Sequence, residues 1–271
     1  MPKMIIATSM EQECRGVLAV AVDLAARLGS EATVVGPLAE LAPGVSARPG
    51  HPALESLEHW VRGALPSRAA MPRVVARGGL PAVEIARYAD EAEADLVVVG
   101  RGLGADGGAL ADAVVRRSRR PCLVLPCGWT RVAPVLVALD GTDRGFQVHQ
   151  AACQLAERIG APLFAVTVEP DEPGVRAAGM PSARSLRVQA RVQSFASASP
   201  GGAALAVHAV PPVHVRTGDT VTQVVAEARE LEAGILAVGW RWGGPSDRIP
   251  AGSVGRRLAH EAPCAVLTVP L

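Results

Sequence analysis

Aromatic residues are scarce: four tryptophans, three phenylalanines and one tyrosine in 271 residues. A core with so few rings has to be built mainly from Ala, Val and Leu. Lysine is scarcer still, Lys3 being the only one, so nearly all positive charge is arginine. Neither sign of charge dominates: 27 Lys and Arg stand against 26 Asp and Glu, a formal net charge of +1. That balance gives no large one-signed field to draw nucleic acid or an anionic membrane, and neither is expected as a partner. No apolar run reaches the roughly 18 residues that a membrane-crossing helix needs. The five cysteines, Cys14, Cys122, Cys127, Cys153 and Cys264, contain no CxxC pair, which argues against a disulfide framework or a zinc site. Six histidines show no metal-ligand spacing, so no metal site is expected. The opening MPKMIIATSMEQEC has too short an apolar run, with acids following at once, to read as a signal peptide. A reducing, cytoplasmic setting is the expectation.

What is present is a globular composition, 49% hydrophobic and 20% charged, at a length that suits two domains, each with its own core. The chain also says the same thing twice. LAARLG (24–29) recurs as LAERIG (155–160), each behind a short apolar run, MIIAT (4–8) and VLVAL (135–139). DLVVVGRG (95–102) answers to GILAVGWR (234–241), and RPCLVLP (120–126) to APCAVLTVP (262–270). The order is the same in both halves and the period is far too long for a solenoid. A duplicated domain follows, 1–128 and 132–271, joined near CGWTRVAP (127–134).

Within each half, β-branched runs alternate with amphipathic stretches, the pattern of βαβ units and a parallel sheet covered by helices. In the second half the periodicity predicts strands at 134–139, 162–168, 213–216, 234–238 and 264–269. Helices are predicted at 143–159, 184–196, 220–232 and 253–261. Val188, Val192 and Phe195 share one helical face, and Val221, Val224, Val225 and Ala228 another. Cys122 and Cys264 hold the same place after a proline in the two halves and read as buried structural thiols rather than nucleophiles.

In an open parallel sheet, ligands sit beyond the carboxyl ends of the strands, where strand order reverses. Two second-half loops there carry suitable groups. DGTD (140–143) follows the first strand, and GWRWGGPSDRIPAGS (239–253) follows the fourth, ending in Gly252-Ser253 at a helix start. A helix N-terminus presents unpaired N–H groups and partial positive charge, which suits phosphate. Either loop alone reads equally as a turn or an N-cap. A Walker loop is excluded, since no Gly-Lys-Ser/Thr is present, and GxGxxG after the first strand is missing.

Taken together, the repeat, the two loops and GSVGRRLAHEAPCAVLTVP (252–270) resemble the universal stress protein family in its tandem two-domain form, over nearly the whole chain. That resemblance implies two α/β domains, each a five-stranded, mostly parallel sheet flanked by helices, of the adenine nucleotide alpha hydrolase-like class. It implies an intramolecular pseudo-dimer in which CLVLP and CAVLTVP pair, with a homodimer also open. ATP-binding members carry Gly-x2-Gly-x9-Gly-Ser/Thr after the fourth strand. Here Gly239, Trp242 and Gly252-Ser253 hold that spacing, with Trp242 in the second glycine's place.

Carried over to this chain, the resemblance implies that Asp140 partners ribose or adenine and that Val168 offers backbone contacts to adenine. Ala138, Leu139 and Val238 would line the base pocket. Gly239, Gly252, Ser253 and Val254 would hold the phosphates, with Arg241 nearby and Mg2+ accompanying the nucleotide. Tryptophan gives neither glycine's close approach nor its freedom at positive φ, so Trp242 either swings outward, stacks on the ligand or fills the pocket. The first half departs further: Ser9, Pro37 and Leu110-Ala111 align with Asp140, Val168 and Gly252-Ser253, and the loop GRGLGADGGA (100–109) is shorter. It reads as a copy that keeps the fold and has lost the nucleotide, or one that binds something in a different pose. No residue set has the base and nucleophile of a catalytic constellation. The expectation is an ATP-binding stress-response or signalling protein, at most a weak ATPase, against a scaffold that binds partners and no nucleotide.

Overall fold

The computed structural model describes residues 1–8, 10, 15–38, 41–102, 108–171, 182–198, 211–240 and 253–271. In chain order the first half holds β1 (Lys3–Ala7), α1 (Arg15–Arg27), β2 (Glu31–Leu38), α2 (Pro52–Ala64), β3 (Arg73–Gly78), α3 (Pro81–Glu91), β4 (Leu96–Arg101), α4 (Ala109–Arg117) and β5 (Cys122–Pro126). The second holds β6 (Val135–Ala138), α5 (Gly145–Ile159), β7 (Leu163–Glu169), α6 (Ala183–Ala198), β8 (Val213–Thr217), α7 (Thr220–Glu230), β9 (Ile235–Trp240), α8 (Ser253–Glu261) and β10 (Ala265–Pro270). These are two tandem α/β domains, each a five-stranded, mostly parallel sheet flanked by helices.

By compactness the chain forms two units: Met1–Thr130 together with Ala265–Pro270, and Arg131–Trp240 together with α8. In the first, parallel ladders run β3-β2-β1-β4-β5. There β10 lies antiparallel to β5, with Val266 opposite Val124 and Thr268 opposite Cys122. The expected pairing of CLVLP with CAVLTVP is this ladder, and the Thr268 hydroxyl adds a 3.2 Å bond to the Cys122 carbonyl. In the second unit the parallel ladders run β9-β6-β7-β8.

Local chemistry explains the element boundaries. Proline at the first turn and a capping His51 Nδ1 open α2. Asp219 opens α7 by accepting from the Thr222 N–H at 3.0 Å. Gly160 ends α5 in the left-handed region at φ 65°. The duplication reaches single residues: Glu93 and Glu232 stand at corresponding places after α3 and α7, and both adopt positive φ, 53° and 48°.

Aliphatic side chains fill the cores, as scarce aromatics require: Ile5, Ile6, Val34, Leu57, Ile85, Val98 and Leu123 in one unit, Leu136, Val166, Val188, Val192, Val224 and Leu236 in the other, all at most 1% exposed. Val221, Val225 and Ala228 are buried as predicted, whereas the side chain of Phe195 lies outside what is described. Cys122 and Cys264 are buried. Burial pushes the Cys122 thiol up to about 12, so it stays protonated and unreactive at neutral pH.

Charge also enters these interiors, as the sequence reading did not foresee. Arg77, 4% exposed, bonds Glu84 through Nε at 3.2 Å and Glu91 through both Nη atoms at 2.6 and 3.0 Å. Hydrogen bonding from Arg77 holds the Glu91 carboxyl below its ordinary value. The second unit repeats the device in part: Arg216 pairs with Glu230 as Arg77 does with Glu91, but the buried glutamate that receives its Nε at 2.5 Å, Glu227, stands one turn later on its helix than Glu84 does. Burial pushes the Glu227 carboxyl up, but bonds from His214 and Arg216 outweigh this and hold it low. A signal existed, since Arg at a third-strand end and Glu at the end of the next helix recur in both halves.

Candidate functional site

In the second unit β7 and β8 lie to one side of β6 and β9 to the other, so strand order reverses between β6 and β9. Loops leaving that point diverge to opposite faces and open a crevice at the carboxyl ends. Register brings the expected residues to this end: Ala138 is level with Val166 and Val137 with Ala237. Two places further on stand Asp140, Val168 and Gly239.

Asp140 is exposed. Its Oδ1 accepts from the Thr142 N–H at 2.9 Å and the Thr142 hydroxyl at 2.7 Å. Thr142 Oγ1 in turn accepts from the Gly145 N–H at 3.1 Å. This turn needs glycine twice. Gly141 has φ 75°, and a Cβ on Gly145 would lie 2.5 Å from Asp140 Oδ1. The carboxylate is thereby held at the N-terminus of α5, where the helix dipole favours negative charge, and no described residue donates to Oδ2.

Leu139, Val168 and Val238 are buried at 4%, 5% and 2% exposure, and Ala138 is half-buried. The Val168 carbonyl is taken: Arg184 on α6 donates to it from Nη1 at 3.1 Å. The α6 helix is anchored to the same rim by Ser182 on Glu169 and by Arg191, which pairs with Asp143 and stacks 4.6 Å over the Phe146 ring. On β9, a Cβ at Gly239 would meet Leu271 Cδ1 at 2.6 Å, and one at Gly255 would meet the Gly239 carbonyl oxygen at 2.8 Å. Gly255 thus lets the first turn of α8 lie directly on the end of β9. Val254 is 40% exposed, and Ser253 is the first residue of α8. Arg241, Trp242 and Gly252 lie outside the described residues, as does the Ser253 side chain.

Among the described residues, two buried polar atoms at this end have no hydrogen-bond partner, Thr167 Oγ1 beside Val168 and Trp240 Nε1 after Gly239. Buried polar atoms are nearly always bonded, so these two are exceptions at this end of the sheet. Sequence spacing alone does not reveal them, because their isolation comes from what packs around them. Among the described residues no group of three or more His, Cys, Asp or Glu could hold a metal ion, and no helix is long and apolar enough to cross a membrane.

In the first unit the order reverses between β1 and β4. Register sets Pro37 at the place of Val168, as the aligned repeats predict; Ser9 lies outside the described residues. One equivalence is corrected. Helices α4 and α8 both have nine residues, but four residues, 118–121, separate α4 from Cys122, where Ala262 and Pro263 alone separate α8 from Cys264. Gly108-Ala109, not Leu110-Ala111, therefore stands where Gly252-Ser253 does; the two extra residues after the helix displaced an alignment anchored on the cysteines. Gly108 is the N-cap of α4 and makes no side-chain cap.

Residues 1–126 and 132–270 each match the universal stress protein family. A universal stress protein from Archaeoglobus fulgidus DSM 4304 is similar in structure, with a TM-score of 0.67 at 17% identity, covering 99% of this chain and 98% of that one. A chain from Pseudomonas aeruginosa UCBPP-PA14 described under the same family has a TM-score of 0.62 at 13% identity, covering 100% and 93%. A half-length universal stress protein solved in complex with cAMP is 21% identical over 47% of this chain and 98% of its own, with a TM-score of 0.36. No curated protein matches the chain. With both halves matched in full, this chain belongs to the universal stress protein family as two such domains in tandem.

Proposed function

We propose that the second domain binds ATP, with its Mg2+, and that the protein acts in stress response or signalling by reporting nucleotide state. The observation that carries this is convergence at the β6/β9 reversal: an exposed, pre-positioned Asp140, the closely packed Gly239 and the start of α8 share one end of the sheet. Asp140 would accept from ribose or base. The α8 N-terminus with Gly239, Gly252, Ser253 and Val254 would receive the phosphates, and Arg241 stands beside them in sequence. Each such charge-assisted contact contributes roughly 1.5–3 kcal/mol. The role is binding rather than catalysis, in the cytoplasm, and the first domain is structural toward this nucleotide.

A second reading, a scaffold that binds partner proteins and no nucleotide, is favoured by one observation. The Val168 carbonyl, the expected adenine contact, already accepts from Arg184. Denaturing the purified protein and assaying for released adenine nucleotide separates the two, followed by calorimetry with ATP and Mg2+. Asp140→Ala and Ser253→Ala should each weaken ATP binding by about ten- to a hundredfold, and Ser9→Ala should not. No released nucleotide and no heat at millimolar ATP would leave the scaffold reading standing.

A further inference from the structure

Lys3, the only lysine, opens β1 at the amino end of the first sheet. A cavity of about 310 Å³ lies there, on the face that α3 covers. Lys3 and Ile5 of β1 and Glu31 and Thr33 of β2 stand two apart on their strands, so they share the cavity floor. Register sets Lys3 beside Glu31, and Thr33 beside Arg73 of β3; neighbours of this kind start about 5 Å apart. Tyr88 and Glu91, three apart on α3, close the other side. Within residues 1–130 the chain outside the described residues follows the carboxyl ends of β1, β2 and β4, and every residue lining this cavity is described.

Part of this lining is already committed. Arg77 holds the Glu91 carboxylate through both Nη atoms, and its guanidinium carbon lies 5.2 Å from the Tyr88 ring centroid. Glu91 is thereby neutralised, and it and Tyr88 are fixed in place. Lys3 Nζ donates to the Ala92 carbonyl at 2.9 Å, which pins the ammonium at the cavity wall without cancelling its charge. Among the described residues Lys3 Nζ, Arg73 and Glu31 have no ion-pair partner. The cavity therefore offers two uncommitted cations and one uncommitted carboxylate. We propose that it binds an acidic α-amino acid, with the two ligand carboxylates on Arg73 and Lys3 and the ligand ammonium on Glu31. The Arg73 fork suits a carboxylate held by two bonds. A neutral amino acid leaves one cation unmatched, and a phosphate or dicarboxylate sets like charge against Glu31. A volume of about 310 Å³ is at the small end of the roughly 300–1,000 Å³ of ligand pockets, which suits a ligand of this size. The site belongs wholly to the first domain and gives it a ligand of its own, independent of the nucleotide reading for the second.

The test is calorimetry of the full chain, without nucleotide and at constant ionic strength. L-glutamate is titrated beside L-glutamine and glutarate, and L-aspartate beside L-asparagine and succinate. Saturable binding of at least one acidic amino acid is expected, with its amide, which lacks the second carboxylate, and its diacid, which lacks the ammonium, each at least tenfold weaker. Arg73 and Glu31 are exposed, so Arg73→Gln and Glu31→Gln leave the core intact. Arg73→Gln should weaken the acidic amino acid at least tenfold. Glu31→Gln should do the same while leaving the diacid unchanged or tighter, a crossover that a merely structural defect does not produce. Asp140→Ala should change none of these affinities, so failure of the nucleotide reading stays distinguishable from failure of this one. No saturable binding of either acidic amino acid, an amide or diacid that binds as tightly, or affinity indifferent to Arg73→Gln or to Glu31→Gln would overturn the proposal.

Discussion

Arg184 donates to the Val168 carbonyl oxygen at 3.1 Å, from a helix whose first turns lie close over Gly141. The guanidinium therefore occupies a backbone acceptor beside the strand that carries Asp140. If ATP uses that acceptor, Arg184 has to leave first. Arg184→Ala should then tighten ATP binding about fivefold, the equivalent of one net hydrogen bond of ~1 kcal/mol. Calorimetry on the variant checks the sign, since weaker binding would make Arg184 a ligand contact instead of a competitor.

Gly255→Ala and Gly63→Ala should change stability in opposite directions. A methyl at Gly255 meets the Gly239 carbonyl at 2.8 Å, and backbone cannot yield as a flexible side chain does. Overpacking of this kind costs about 1–3 kcal/mol and outweighs the gain in helix propensity. Gly63 is exposed in α2, with nothing within 4 Å of an added Cβ. Its replacement should stabilise by about 0.5–1 kcal/mol. Urea midpoints of the two variants measure the difference.

Arg77→Met should cost more than Arg216→Met. Both remove the cation that faces a buried glutamate, but the Arg77 side chain is 5% exposed and that of Arg216 is 29% exposed. Leaving Glu84 charged and buried with Arg87 as its remaining ionic partner is the situation in which a broken buried pair costs about 3–5 kcal/mol. Glu227 keeps His214 at 2.5 Å and a wetter surrounding. Denaturant unfolding of the two variants tests the ranking.

Acidification should destabilise the fold before the carboxylates titrate. Burial pushes the His149 imidazole down from 6.5 to about 4. The unfolded chain therefore binds this proton first, and the contribution is present in full above pH 6.5. It falls away as pH drops from 6.5 towards 4, by about 3 kcal/mol in all, at 1.36 kcal/mol per pKa unit. His149→Gln should flatten the stability profile over that window. An unchanged slope would remove His149 as its source.

Much of the fold was legible because it depends on short-range pattern. The predicted helix 253–261 is α8 to the residue, and the predicted strand at 213–216 is β8 less one residue. Val188 and Val192, four residues apart on a helical stripe, are both at 0% exposure. Misplacement of the α4 start had a physical cause, since two residues added after a helix leave its packing intact while shifting any alignment anchored beyond it. The charged clusters were visible only as a recurring Arg and Glu. That they sit inside follows from α3 packing on β2 and α7 on β7 and β8.

Two halves, their strands and helices, and the loops that carry Asp140 and Gly239 follow from the sequence by itself, because periodicity and glycine placement act within a few residues. Tertiary structure decided which of these groups are available. Among the described residues it left one oxygen of Asp140 without a donor, set Arg184 on the Val168 carbonyl, and buried Arg15 Nε and Trp60 Nε1 without partners. Whether a polar atom is satisfied depends on neighbours far away along the chain, and those come together only when the sheet and its helices close.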